Sequence, residues 1–143
     1  MLAVIGVSIV AARMIDASTM KMHVHPEISA TINGKQFTIP AQIGMPEGSW
    51  ADHSLDQFGM TGMSPLHTHD ATGTIHVESN TVRDFTLREF LAVWGQSIDE
   101  GKVLGHTVDP GHRAFILVGG VEKPATQDVV FSEGLQIRMV CGP

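Results

Sequence analysis

From His23 to Ile32 apolar and polar residues alternate. Val24, Ile28, Ala30 and Ile32 take the even positions, and His23, His25, Glu27, Ser29 and Thr31 the odd ones. A period of two marks a half-buried strand. Asn33-Gly34 follows, a dipeptide suited to a two-residue hairpin turn in which both positions need positive φ. Lys35–Ile39 then returns, with Phe37 and Ile39 expected against Ala30 and Ile28, and Pro40 stops the strand because it has no N–H to donate. Residues 44–65 have no period and are rich in Gly, Ser, Asp, Met and Pro. They are expected to form a long loop carrying Trp50, His53, Met60 and Met63.

His67–Glu78 reads as a second hairpin. A four-residue loop, Ala71–Thr74, pairs Asp70 with Ile75, His69 with His76 and His67 with Glu78. The two pairs His69/His76 and His67/Glu78 then share one face, while Thr68 and Val77 take the other. Thr86–Trp94 is helical. Thr86 and Glu89 form a capping box, Phe85 and Phe90 a hydrophobic staple, and Gly95 the stop. Leu87, Phe90, Leu91 and Trp94 make its apolar stripe. Ala114–Val118 is an interior strand ending in a Gly119-Gly120 turn. In the last strand, Leu135–Cys141, Leu135, Ile137, Met139 and Cys141 alternate with Gln136, Arg138 and Val140.

This order predicts an α+β fold, an antiparallel or mixed sheet of hairpins with one packed helix. By analogy, its second half resembles a β-grasp arrangement. Residues 22–143 are expected to form one domain, and 1–21 a separate N-terminal element with a connector. Leu2–Ala12 is an uncharged run of eleven residues, whereas about twenty are needed to span a bilayer. No basic residue precedes it and Arg13 follows. It is read as the stub of a membrane anchor, a signal segment, or a buried strand or helix; the first reading would tether the domain to a membrane.

Composition narrows the function. The chain has 143 residues, 43% apolar and 17% charged, which suits one core and excludes a disordered acidic tail. A net charge of −6 and nine unclustered Lys and Arg exclude a basic nucleic-acid face. Cys141 is the single cysteine, so no intrachain disulfide, Cys-rich zinc site or iron–sulfur site is available. There is neither a G-x-S-x-G elbow nor a phosphate-binding Gly-Lys-Ser/Thr loop. The edge strands of a small sheet leave a homo-oligomer open.

Five of the eight His lie in three strand segments: His23 and His25, His67 and His69, and His76. In a strand, residues i and i+2 point the same way, so two imidazoles can converge on one ion at about 2.0–2.1 Å. His67, His69 and His76 form a facial set within one hairpin, which His25 or His23 would complete. Asp70 and Glu78 flank the set, either accepting the far N–H of a ligating ring or acting as proton acceptors. Nitrogen donors without thiolate suit zinc, copper(II), nickel or iron. Met20, Met22, Met45, Met60 and Met63 lie nearby in sequence and tilt the choice to copper over zinc, although for any single Met core filling is the better explanation. No His follows Cys141, which excludes a blue-copper site. His53, His106 and His112 are read as surface residues. Three functions fit: a metal-binding protein holding one ion, a copper or zinc enzyme with an open three-His site, and an interaction module whose His are merely solvated.

The runs HVHPEISATINGKQFTIPAQIGM, SPLHTHDATGTIHVES and FTLREFLAVWG resemble a His-rich domain family of archaeal and bacterial envelope proteins. The resemblance covers about residues 22–95 and the final strand. It implies an extracytoplasmic location, often behind a membrane anchor, and metal binding, but no particular reaction. The chain departs from the family's pattern at Glu133–Gly142, where the acidic turn is weakened, and at Ser97–Val108, which lacks the family's cysteine.

Overall fold

The computed structural model describes residues 19–143. The expectations for Leu2–Ala12 fall outside the described residues. Among the described residues no helix is long and apolar enough to cross a membrane.

Among the described residues the fold is α+β, with one α-helix and two principal sheets. The larger sheet contains β2 (Glu27–Ile32), β3 (Lys35–Phe37), β8 (Arg113–Val118), β9 (Val121–Pro124) and β10 (Gln136–Gly142), in the order β3-β2-β10-β8-β9. Only the β2–β10 pair is parallel; the other neighbours are antiparallel. The smaller sheet holds β1 (Met22–Val24), β4 (Leu66–His67) and β5 (His76–Ser79), in the order β1-β5-β4. A short ribbon joins β6 (Lys102–Val103) to β7 (His106–Thr107).

The first strand departs from expectation. His23–Ile32 is two strands in two sheets, because Pro26 supplies no N–H and interrupts pairing between them. β1 pairs with β5, and β2 pairs with β3 and β10. The hairpin at Asn33-Gly34 has the expected register, with Ile32 opposite Lys35 and Ala30 opposite Phe37. Its return strand ends at Phe37, before Ile39. β9 and the β6–β7 ribbon were not legible. Val121–Pro124 reads VEKP, and as an edge strand it has a pattern set by solvent more than by packing.

Helix α1 (Leu87–Trp94) has the expected ends. Thr86 Oγ1 accepts from the Glu89 amide, and the Glu89 carboxylate accepts from the Thr86 amide. Gly95 sits in the left-handed region at φ 85° and closes the C-terminus. Phe90, Leu91 and Trp94 join Ile28, Ala30, Ile116, Ile137, Met139 and Cys141 in one continuous core. Trp94 also reaches Phe37 of β3, ring to ring at 6.3 Å. The helix runs beside β4, and Leu66 is fully buried there. The wall from which His67 projects is therefore anchored in the core.

Candidate metal centre

β4 and β5 pair in a different register from the one expected. His67 lies opposite His76, and Leu66 opposite Val77; His67 is not opposite Glu78, nor His69 opposite His76. The slip is two residues. A one-residue slip would have turned every side chain to the other face, whereas a slip of two preserves the faces. The cause is the connection. The backbone of 73–75 is used against Pro26 and Ile28: the Ile28 amide donates to the Gly73 carbonyl, and the Ile75 amide to the Pro26 carbonyl, at 2.8 and 2.9 Å. Gly73 has φ +86°, and a Cβ there would lie 2.1 Å from the Ile28 carbonyl oxygen, so only glycine permits this approach. Asp70, expected to pair with Ile75, instead accepts from the amide and hydroxyl of Thr72 in a local turn. Those bonds, the hydroxyl's first, pull its carboxyl below the ordinary range. Asp70 is exposed and belongs to neither group of potential metal donors among the described residues.

His67, His69, His76 and Glu78 each present a donor atom, and these atoms all lie within 4.8 Å of one another. A tetrahedral ion with bonds of 2.0–2.1 Å has donors about 3.3 Å apart, so small side-chain rotations close the set. The rings of His67 and His76 are near-parallel at 5.6 Å, and His69 stands edge-on to both, at 4.8 and 4.4 Å.

His67 is the most informative member. Its side chain is 0% exposed. Nδ1 lies 2.8 Å from the Ser64 carbonyl oxygen, and because a carbonyl only accepts, Nδ1 carries the proton. Nε2 is left with its lone pair. It is buried with no hydrogen-bond partner, and the nearest carboxylate oxygen, of Glu78, is 3.8 Å away, too far for a hydrogen bond. Burial pushes the His67 imidazole down to about 4, against the opposing pulls of the Ser64 carbonyl and Glu78. His76 is shifted down in the same sense, by burial first and then by His69 and His25; its Nδ1 is also buried without a partner, 3.6 Å from Glu78. A buried imidazole oriented by a backbone carbonyl, with its other nitrogen bare, is arranged as a metal ligand is.

The strand carrying His67 is braced from behind by residues 42–44. The Thr68 amide donates to the Ile43 carbonyl, and the Ser64 amide to the Gly44 carbonyl. Thr68 Oγ1 accepts from the Ile43 amide and donates to the Pro40 carbonyl. Gly44 has φ +71°, and a Cβ there would meet the Leu66 carbonyl oxygen at 2.4 Å and His67 Cβ at 3.1 Å. Gly44→Ala is therefore expected to cost about 2 kcal/mol, from backbone strain and displacement of β4, and to weaken metal binding by moving His67. Urea unfolding and a metal titration check this; a variant matching the parent in both would refute it.

His23 and His25 form a second group with His76, again with donor atoms within 4.8 Å. Glu78 belongs to the inner set as a donor, where the sequence had offered it as a flanking carboxylate or proton acceptor, and it also lies 3.3 Å from His23 Nε2. That dual contact follows from β1 pairing directly with β5, His23 opposite Glu78. His53 is exposed and stacks on Trp50, and His106 is exposed and edge-on to Phe37. His112 lies 3.1 Å from Asn33 Oδ1. None of the three joins either group. Met22 packs against the core and Met60 is buried, which is the core-filling role.

Comparison of the chain with protein-family models, with curated proteins and with solved structures returns no match.

Proposed function

We propose that this is an extracytoplasmic metal-binding protein that holds one copper(II) or zinc ion through His67, His69, His76 and Glu78. The observation that carries the reading is the bare, fully buried Nε2 of His67, with its Nδ1 proton committed to the Ser64 carbonyl. An unpaired polar atom in a core is costly, and a cation bound at Nε2 removes that cost. Three neutral imidazoles and one carboxylate suit zinc or copper(II) and are a poor match for copper(I), which prefers sulfur. The extracytoplasmic setting rests on the resemblance of the HTHD…IHVE hairpin to envelope proteins.

The test is metal analysis after reconstitution. Purified protein is expected to retain one equivalent of copper(II) or zinc through gel filtration, and a His69→Ala/His76→Ala variant none. Parent protein that retains neither ion would sink the reading. The exposed ring of His69 favours, as a second reading, an ion with one position open to water, as a catalytic zinc requires. An exchangeable water ligand seen by electron–nuclear spectroscopy on the copper(II) form separates the two.

A further inference from the structure

We propose that His23, His25 and His76 form a second, solvent-facing cation station, from which the ion is passed inward to His67, His69, His76 and Glu78. This inference rests on the metal-binding reading above and assigns to β1 a role in loading.

The geometry consists of two donor groups that overlap. His76 is a member of both. Glu78 touches both: Oε1 lies 3.3 Å from His23 Nε2, and Oε2 lies 3.8 Å from His67 Nε2. The groups differ in depth. The side chain of His23 is 48% exposed and that of His25 34%, whereas Glu78 is 14% exposed and His67 0%. His69 is the one exposed member of the inner set. For its deeper donors His67 and Glu78, the more exposed rings of His23 and His25 offer an approach by way of His76, which belongs to both groups. The rings of His23 and His25 are 4.5 Å apart, and that of His25 is 4.9 Å from His76. The Glu133 carboxylate lies 3.5 Å from His25 Nδ1 and accepts from the His25 amide at 2.8 Å. It adds negative charge at the mouth and holds the His25 backbone in place.

The transfer is a ligand exchange. Bonds from the ion to His23 and His25 break, and bonds to His67, His69 and Glu78 form, while His76 stays adjacent throughout. No electron moves. No proton has to leave His67, because Nε2 is already free. The inner set adds His67, whose buried Nε2 has no other partner, and coordination there removes the cost of that unpaired atom, which favours the inward step.

The probe is copper(II) alone, supplied as a weak glycine complex. Copper(II) heads the affinity order of the divalent ions for nitrogen sites and reports on the site by absorption. Parent protein and a His23→Ala/His25→Ala variant are compared by equilibrium titration and stopped flow; a His23→Gln/His25→Gln variant guards against a folding defect. Both variants are expected to bind one equivalent at equilibrium, with the association rate reduced by about tenfold or more, within the range over which related on-rates vary. An unchanged rate overturns the proposal. So does loss of the equilibrium site in both folded variants, which would make His23 and His25 permanent ligands. Parent protein that takes up no copper(II) overturns the underlying metal reading instead.

Discussion

His67→Asn is expected to weaken copper(II) or zinc binding by at least about 100-fold, the upper range of what removing an orienting partner alone costs a metal site. Asn retains an amide donor for the Ser64 carbonyl but has no nitrogen lone pair to give an ion. The consequence for stability can be calculated. An ion that binds only the folded state, at 100 times its dissociation constant, adds about 2.7 kcal/mol. For a domain of this size that raises Tm by roughly 5–10 °C. Parent protein should show this rise when metal is added and lose it with chelator. His67→Asn should melt at the same temperature with or without metal. Calorimetry of the four samples decides: a variant that still gains several degrees from metal would mean that His67 Nε2 is not a ligand.

The expectation puts most of the binding energy on His67 because of how its neighbours constrain it. His69 is exposed and can rotate away from an ion at little cost. His67 cannot. Its ring is enclosed, its Nδ1 is tied to a carbonyl, and its strand is braced by Ile43 and Gly44 on one side and by β5 on the other. Preorganisation of this kind lowers the entropic cost of binding. Glu78 completes the set from the strand β5 shares with His76, so two donors move as one rigid unit.

Much of this centre was legible in the chain, for an identifiable reason. Alternation places side chains on faces, and faces survive register errors of two. The expected pairing of His67 with Glu78 was wrong, yet His67, His69, His76 and Glu78 still converge, because His67 opposite His76 leaves all of them on the same side. What escaped the sequence were long-range facts. Pro26 was present in the text of the first strand, but its division of that strand between two sheets depends on where β5 and β10 lie. Gly73 lies within the expected loop Ala71–Thr74, and its need to be glycine depends on the Ile28 carbonyl packed against it. Glu78 read as a flanking carboxylate, and only the β1–β5 pairing shows that it faces His23 as well as the inner rings. The helix was the most legible element, because its capping box, staple and Gly95 stop are local.

Acid should destabilise the metal-free protein through His67, by an amount and over a range that follow from its burial. In the unfolded chain the imidazole takes a proton as pH falls through its ordinary value of 6.5; in the folded chain burial delays this until about pH 4. Between those limits the unfolded state binds the extra proton, so stability rises with pH. The contribution is fully present above about pH 6.5, is lost as pH falls towards 4, and changes no further below that. It amounts to about 3 kcal/mol. His76, whose imidazole is shifted in the same direction, adds to the loss with the same sign. Carboxylates elsewhere also respond to acid, but they are common to parent and His67→Asn and cancel in the difference. Urea midpoints measured with chelator at pH 7 and at pH 4.5 should therefore show the stability advantage of the parent over His67→Asn shrinking towards the acid side. Bound metal should shift the whole acid transition of the parent to lower pH, since a coordinated Nε2 cannot take a proton. Two stability curves that run parallel across this range would mean that the His67 ring is not held neutral in the fold, and with that the argument for an ion at its bare nitrogen would fall.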